Sequence, residues 1–264
     1  MMRGASADAY AAAARVLPGT GDLRQVGQDL FGTADLFRAE PGLRRVATDV
    51  SVLGEAKAGL LREVLSGKVS GEALEVVTTA VAHRWTSARD LADALEQLGV
   101  VAVVRSSADQ ADRLEDEQFA VNQLVQGSPE LREALSDPAR SRADKVALVG
   151  DLLSDKALPA TVALVQQSLS GSHRTVGVAL TEYQKVAAEV REQRVATVRV
   201  ARPLAEGDRE RLQAVLSSTY GRTVHLNVVV DPEVIGGIRV DIGDDVIDGT
   251  VASRLDEAGR KLAG

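Results

Sequence analysis

Two nine-residue stretches of this chain are similar to each other: Pro41-Gly42-Leu43-Arg44-Arg45-Val46-Ala47-Thr48-Asp49 and Pro129-Glu130-Leu131-Arg132-Glu133-Ala134-Leu135-Ser136-Asp137. The second stretch begins 88 residues after the first. At that same shift, and without a gap, nine identical residues recur between positions 41 and 68: Pro41, Leu43, Arg44, Asp49, Lys57, Leu60, Leu65, Ser66 and Lys68. Shared helical composition alone would produce far fewer matches. The sequence therefore predicts a duplicated all-α module, with a period longer than that of the common helical solenoid repeats.

Each copy divides into short amphipathic helices, five or six by their apolar spacing. In the second copy, Ser141 is placed to cap a helix in which Val146, Val149 and Leu153 recur on one face. Pro159 suits the first turn of the next helix, where its missing N–H costs little. Because a single helix of this length is marginally stable in water, we expect these faces to pack together as bundles.

The last 70 or so residues change from helical spacing to alternation. Val198 and Val200 alternate with polar or small residues, which is typical of a half-buried strand. Residues 206–219 predict a helix with Leu212, Val215, Leu216 and Tyr220 on its buried side, closed by Gly221. Further strands are predicted at 224–230, 238–242 and 246–247, with a tight hairpin between the last two and a final helix capped by Thr250.

The predicted fold class is therefore mainly α with a C-terminal α/β domain. We expect two tandem helical-bundle modules, the first at residues 1–98 and the second at 99–193. A small α/β domain follows at 194–264.

Composition excludes several classes of function. The 264 residues include 31 Lys+Arg and 38 Asp+Glu, a net charge of −7, and no basic block is present, so nucleic-acid binding is not expected. The aromatic fraction of 3% leaves few side chains on which bases could stack. The absence of cysteine excludes disulfides and thiolate sites. No apolar run approaches the ~20 residues of a membrane span, and Asp8 interrupts any signal-peptide core. An intracellular, soluble chain is predicted, with the acidic run 109–117 as a solvated helix face.

No catalytic or cofactor-binding residue is predicted. His83 and His173 each follow a comparable helix, which favours a place at a helix C-terminus, and His225 is expected to point outward from a strand. No Ser, His and Asp set has a local signature, and no cofactor is expected.

The densest carboxylate group is Asp241, Asp244, Asp245 and Asp248. The spacing of these residues does not fit the Ca²⁺ loop pattern. Aspartates are common in turns, where they hydrogen-bond to nearby backbone, and this explains the group better, so no metal ligand is predicted. Gly236-Gly237 lacks the third glycine of a phosphate-binding loop. We therefore expect the two glycines to be needed for a positive φ or for a close approach of another backbone segment.

The run Val230-Asp231-Pro232-Glu233-Val234-Ile235-Gly236-Gly237-Ile238-Arg239-Val240-Asp241-Ile242-Gly243-Asp244-Asp245-Val246-Ile247-Asp248-Gly249-Thr250, with Arg254-Leu255 after it, resembles a family signature. The family is the delta subunit of F-type ATP synthases, called the oligomycin-sensitivity-conferring protein in mitochondria. The residues that carry the resemblance, and that are expected to have structural roles, are Asp231, Pro232, Gly236, Gly237, Arg239, Gly243, Asp248, Gly249, Arg254 and Leu255. With its duplicated helical module, the chain is similar to the actinobacterial-type long form.

The resemblance implies a non-catalytic subunit of the proton-translocating ATP synthase. In this family the helical domain binds the alpha subunits of the catalytic head, and the C-terminal domain binds the b subunit, which is anchored in the membrane. Such a chain belongs to the peripheral stalk, the stator that resists rotational torque during ATP synthesis. It would be a peripheral protein on the cytoplasmic face of the cell membrane, held there through the complex.

Two alternatives stay open at this point. One is a free-standing helical adaptor that binds amphipathic peptides in its bundle grooves. The other is an enzyme of unknown class that uses Asp241, Asp244 and Asp248.

Overall fold

The computed structural model describes residues 2–170, 172–192, 195–221, 224–231, 234, 236–242 and 245–250. The chain divides into two compact units, Met1–Ala187 and Ala188–Gly264. The predicted division of the helical part at residues 98 and 99 stays a prediction, and a helix continues through that point. Mainly α structure followed by a small α/β unit is confirmed.

The first unit is built from helices joined by short loops, and the last of these helices continues past Ala187 to Glu192. In chain order they are α1 (Ala5–Arg15), α2 (Leu23–Ala39), α3 (Pro41–Thr48), α4 (Gly54–Leu65), α5 (Gly71–Ala82), α6 (Ala88–Ser106), α7 (Ala111–Gly127), α8 (Pro129–Ser136), α9 (Arg142–Leu153), α10 (Pro159–Gln167) and α11 (Val176–Glu192). Two short 3₁₀ turns lie at Ala108–Gln110 and Ser168–Ser170.

The helix boundaries repeat with the period of the sequence. Helices α7, α8 and α9 begin and end 88 residues after α2, α3 and α4, and α11 begins 88 residues after α6. The helix starts follow the predicted chemistry: Ser141 caps α9 by accepting from the amide of Asp144, and Pro159 stands in the first turn of α10. The duplicated helical module is thus visible in the backbone as well as in the residues.

The centre of the first unit is the crossing of α2 and α6. Gly27 and Gly99 are both buried there, so the two backbones approach more closely than side chains would allow. Phe31 packs its ring against Gly99, and Leu30 and Leu98 are almost completely buried. This crossing places α6, the longest helix described, through the middle of the helical core.

Among its described residues, the second unit holds a four-stranded sheet and one long helix. The strands are β1 (Val195–Val200), β2 (His225–Val230), β3 (Ile238–Ile242) and β4 (Asp245–Asp248), in the order β2-β1-β3-β4. Strand β1 pairs parallel with β2 and antiparallel with β3, and β3 pairs antiparallel with β4. The core joins Ala196, Val198, Val200, Leu216, Val224, Leu226, Val240 and Ile242. The predicted strands at 198–200 and 238–242 are confirmed.

Helix α12 (Glu206–Tyr220) differs from the expectation in one respect. Leu216 is buried and Leu212 and Tyr220 pack beside it, as predicted, but Val215 is 60% exposed. The reason is the helical period: Leu212, Leu216 and Tyr220 are spaced four apart and share a face, and Val215 points about 100° away from Leu216. Gly221 ends the helix at φ 62°, ψ 25°, the left-handed C-terminal conformation that was predicted.

Candidate functional site

The described signature residues gather at one end of the sheet. Val200, the last residue of β1, pairs with Val230 on one side and with Ile238 on the other. Arg239 pairs with Asp248, the last residue of β4. Asp231 continues from β2 and donates its amide to the Val200 carbonyl oxygen at 2.9 Å. Residues distant in sequence therefore meet at the carboxyl ends of β1, β2 and β4.

The glycine pair at this end satisfies a backbone requirement. Gly236 has φ 125° and Gly237 φ 80°, values that side chains rarely adopt. A Cβ on Gly237 would lie 2.4 Å from the Gly249 carbonyl oxygen. Gly249 in turn donates its amide to Ile238 at 2.9 Å. The predicted close backbone approach at Gly237 is confirmed, because β3 and β4 meet there without room for a methyl group.

The charged signature residues are paired. Asp241 accepts from Arg199 at 2.9 Å and from Arg239 at 3.2 Å, bridging neighbouring strands. Asp248 accepts from the Thr250 hydroxyl at 2.7 Å and from the Thr250 amide at 3.0 Å. These hydrogen bonds from Thr250, together with the charge of Arg239, lower the pKa of Asp248. The hydrogen bonds of Asp248 agree with the predicted turn role, whereas the ion pairs of Asp241 across the strands were not predicted.

Four of the predicted signature residues, Pro232, Gly243, Arg254 and Leu255, lie outside the described residues, as do Asp244 and the final helix predicted after Thr250. Within the described ranges, no three His, Asp or Glu side chains lie close enough together to hold a metal ion. Among the helices described, none combines the length and hydrophobicity that crossing a bilayer requires.

Exposed apolar side chains mark candidate contact surfaces on each unit. On the second unit they lie on the two outer strands of the described sheet, Val246 and Ile247 on β4 and Val229 and Val230 on β2, and at Val215 on α12. On the first unit one group occurs along α3, α4 and the loop between them, where Leu53 is 79% exposed, and others lie on α7, α9 and α11. The remaining members of the group on α3 and α4 are Val46, Val50 and Leu60. Surfaces of this kind are typical of proteins that bind other proteins.

The acidic run is not entirely a solvated face, which corrects the sequence expectation at Glu117. Its carboxylate accepts from the Leu158 amide at 2.7 Å and from the Thr161 hydroxyl at 2.6 Å, and so caps the start of α10. Burial alone would raise the pKa of Glu117, but the hydrogen bonds from Thr161, Leu158 and Arg113 outweigh burial and lower it. Capping by a residue some 40 positions away has no local sequence signal.

A buried polar cluster was also missed by sequence reasoning. Glu96 of α6 accepts hydrogen bonds from Arg38 of α2, from Ser172 at 2.7 Å, and from the Tyr183 hydroxyl of α11. Burial and the negative charge of Glu96 raise the pKa of Tyr183 far above its ordinary value. The cluster ties three helices together, and Glu96 and Tyr183 are both buried within it, so its role is structural.

The two repeated histidines differ. His83 is the C-cap of α5, with Nδ1 at 2.9 Å from the Thr79 carbonyl oxygen, as predicted. For His173 the prediction is wrong, because α10 ends earlier, at Gln167. The imidazole instead packs edge-to-face on the Tyr183 ring, with 5.9 Å between the ring centroids. The side chain of His225 lies outside what the structure describes.

Comparisons with known proteins agree with the signature. The model of the family "ATP synthase delta (OSCP) subunit" matches residues 88–262. A Nocardioides sp. protein, "ATP synthase subunit delta", is 53% identical over 100% of this chain and 98% of its own length. One of the same description from Kineococcus radiotolerans is 46% identical over 92% of this chain and 89% of its own. A chain of the Toxoplasma gondii mitochondrial ATP synthase hexamer aligns with 62% of this chain and 95% of its own length, with a TM-score of 0.32 and 15% identity.

Proposed function

Since this chain belongs to the ATP synthase delta (OSCP) subunit family, we propose that it joins the catalytic head of the proton-translocating synthase to the b subunit, as part of the peripheral stalk. The subunit itself is structural and carries out no catalysis. Rotation of the central stalk exerts torque on the head, and this chain resists that torque during ATP synthesis.

We assign one neighbour to each unit. The helical unit binds the alpha subunits of the head, and the α/β unit binds the cytoplasmic end of the b subunit. Through b, the chain is held as a peripheral protein at the cytoplasmic face of the cell membrane.

The observation that supports this proposal is the presence of two compact units, each with its own core and its own exposed apolar side chains. A joint between two neighbours needs two independent binding surfaces. The chain also matches its relatives over almost their whole length, so nothing favours the alternative of a free-standing adaptor.

A joint of this kind must remain bound through many rotations. A Kd near nanomolar corresponds to about 12 kcal/mol. Such affinity commonly accompanies an interface of about 1,600 Å² that is centred on a few large side chains. Leu53 on the helical unit and Val246 on the sheet are exposed side chains suited to this role.

The test measures binding of the full chain to synthase heads and to the cytoplasmic segment of b, separately and together. We expect each to bind alone and all three to form one ternary complex. Leu53→Asp should weaken binding to the head and leave binding to b unchanged, whereas Val246→Asp should do the reverse. If the full chain binds neither partner, or if the two partners exclude each other, the proposal is wrong.

A further inference from the structure

Helix α11 is the element through which the chain leaves the first unit. It begins at Val176 in the first unit, and its residues after Ala187 belong to the second unit. The attachment of α11 therefore decides how firmly the first unit holds the helix that leaves it. At the 88-residue spacing, the equivalent of α11 is α6, and the two helices are attached differently.

Helix α11 is packed on one side only. Of its residues in the first unit, three are buried, namely Ala179, Leu180 and Tyr183. The equivalent residues of α6 are buried as well, but α6 buries further side chains around its circumference. The buried residues of α6 over the equivalent stretch 88–99 are Leu91, Ala92, Ala94, Leu95, Glu96, Leu98 and Gly99. The apolar contact that holds α11 is therefore narrower than the one that holds α6.

The close crossing that fixes α6 is not repeated at α11. Gly27 and Gly99 let α2 and α6 approach closely, whereas the equivalent residues of α7 and α11 are Glu115 and Ala187. A groove of about 390 Å³ lies between α11 and the α7–α8 pair. Its lining includes Val125, Leu135, Val176 and Thr181. Because side chains beside such a space lack partner atoms on one side, close packing contributes less to the attachment of α11 than to that of α6.

Buried hydrogen bonds hold α11 where close packing does not. The two carboxylate oxygens of Glu96 have different partners: Oε2 accepts from Arg38 of α2, and Oε1 accepts from Ser172 at 2.7 Å and from the Tyr183 hydroxyl of α11. In the first copy the residue equivalent to Tyr183 is Leu95, so α6 has an apolar side chain where α11 has its hydrogen bond. Glu96 thus links α2 to α11 through a single buried carboxylate.

Glu96 is fixed independently of α11. Its partner Arg38 also pairs with Asp93 of α6 at 3.0 Å and with Asp35 of α2 at 3.5 Å. These ion pairs lie within the α2–α6 pair, which the glycine crossing already holds together. The hydrogen bond from Tyr183 can therefore break while Arg38 and Glu96 remain paired and the α2–α6 crossing remains closed.

We propose that Tyr183 and Glu96 form a latch. When the latch is closed, α11 lies on the first unit, and when it opens, α11 separates by local unfolding while α2 and α6 stay folded. Elements with few buried apolar contacts open at lower free energy than the core of the same unit. In the peripheral stalk, the latch sets how readily α11 yields to load that passes along the chain. This consequence rests on the proposed function, whereas the latch itself does not.

The first experiment measures hydrogen exchange of individual amides in the isolated full chain. Amides at 179–187 should exchange faster than those of Leu30 and Leu98, and urea should change their exchange little, because a local opening exposes little surface. Tyr183→Phe keeps the ring and removes the hydroxyl, so exchange at 179–187 should accelerate about tenfold, as expected for the loss of a buried hydrogen bond to a charged acceptor. The latch is overturned if exchange at 179–187 is as slow as in the core, or if Tyr183→Phe does not accelerate it.

Two control variants separate the latch from general stability. Gly27→Ala weakens the α2–α6 crossing, which stays closed during the local opening, so it should accelerate the core amides of α2 and α6 and leave those at 179–187 unchanged. Lys185→Gln removes an exposed ion pair with Glu182 on α11 and should change neither group. If Gly27→Ala accelerates exchange at 179–187 as much as in the core, α11 opens only together with the whole unit and the latch proposal is wrong.

The second experiment tests the role of the latch under load in the assembled synthase. Exchange at 179–187 is compared between synthase that is hydrolysing ATP and synthase that is held at rest by an inhibitor of catalysis. We expect faster exchange during turnover, and a larger increase with Tyr183→Phe. If the chain does not assemble with the synthase, the proposed function is wrong, and the latch in the isolated chain still stands. If the chain assembles and turnover leaves this exchange unchanged, only the role under load is overturned.

Discussion

Gly27 of α2 and Gly99 of α6 face each other where the two helices cross. A methyl group added to Gly27 would lie 2.9 Å from the Gly99 carbonyl oxygen, and one added to Gly99 would lie 3.0 Å from the Gly27 carbonyl oxygen. The relationship is reciprocal, so each glycine is required by the backbone of the other helix. It explains how α6 can pass through the middle of the first unit with Phe31 buried beside it.

Gly27→Ala is expected to destabilise the first unit by about 1–3 kcal/mol, because the new methyl group would also meet Val103 Cγ2 at 2.5 Å. The measurement is denaturant unfolding followed by the fluorescence of Trp85, which is buried in this unit. Gly32→Ala, also on α2, is the matched control: nothing lies within 4 Å of its added Cβ, so the change should be neutral or stabilising by up to about 1 kcal/mol. Equal stability of the two variants would contradict the close crossing.

Removal of the Glu117 cap should make stability less dependent on pH. The hydrogen bonds of the folded state hold the pKa of Glu117 below its ordinary value of 4.5, so the stabilisation is complete above that pH and is lost as pH falls through the folded pKa. Glu117→Gln should cost about 1–2 kcal/mol at pH 7 and progressively less toward pH 3. Urea unfolding followed by circular dichroism at several pH values measures the difference.

The control for this variant is Asp116→Asn, since its neighbour Asp116 is exposed. We expect that change to leave the free energy of unfolding at pH 7 close to that of the unaltered chain. If Glu117→Gln lowers the free energy of unfolding by the same amount at pH 7 and at pH 3, the charge of Glu117 is not what stabilises the start of α10.

Tyr183 should resist ionisation while the first unit is folded. Burial and the charge of Glu96 raise its pKa above the ordinary 10, so the tyrosine stays neutral and stability is lost as pH rises above that ordinary value. Absorbance titration should show that one of the three tyrosines ionises only on unfolding. Tyr183→Phe should abolish that late step and cost about 1–2 kcal/mol, because Glu96 loses one buried donor. A late step that persists in Tyr183→Phe would assign it to another tyrosine.

Gly237→Ala should destabilise the second unit alone. The residue has positive φ, and its new methyl group would meet the Gly249 carbonyl oxygen, so a loss of at least about 1 kcal/mol is expected. Hydrogen exchange of the β1 and β3 amides should accelerate, while Trp85 fluorescence, which reports on the first unit, should not change. Gly207→Ala is the control, since nothing lies within 4 Å of its Cβ. Unchanged exchange in Gly237→Ala would refute the close approach of β3 and β4.

Several site features follow from local sequence rules. Gly221 ends α12 and Ser141 begins α9 because capping depends on a few neighbouring residues. The close backbone approach at Gly237 was predictable from the sequence. Gly236-Gly237 does not fit a phosphate-binding loop, so a backbone requirement was the remaining explanation for the glycine pair. The exposure of Val215 and the edge-to-face contact of His173 were not, since each depends on which helix happens to lie opposite.

By itself, the sequence determined the helical and α/β regions, the 88-residue repeat and the family, because periodicity and an uninterrupted motif are read from the residues without any tertiary context. Capping residues such as Ser141 and Gly221 also indicated individual helix ends. Only the tertiary structure decided which of two equivalent phenylalanine side chains is buried. Phe31 and Phe119 occupy matching positions, yet one is covered and the other is open. That outcome depends on Gly99 and Arg142, which contact α2 from far along the chain, and packing between distant helices leaves no trace in the local pattern of either one.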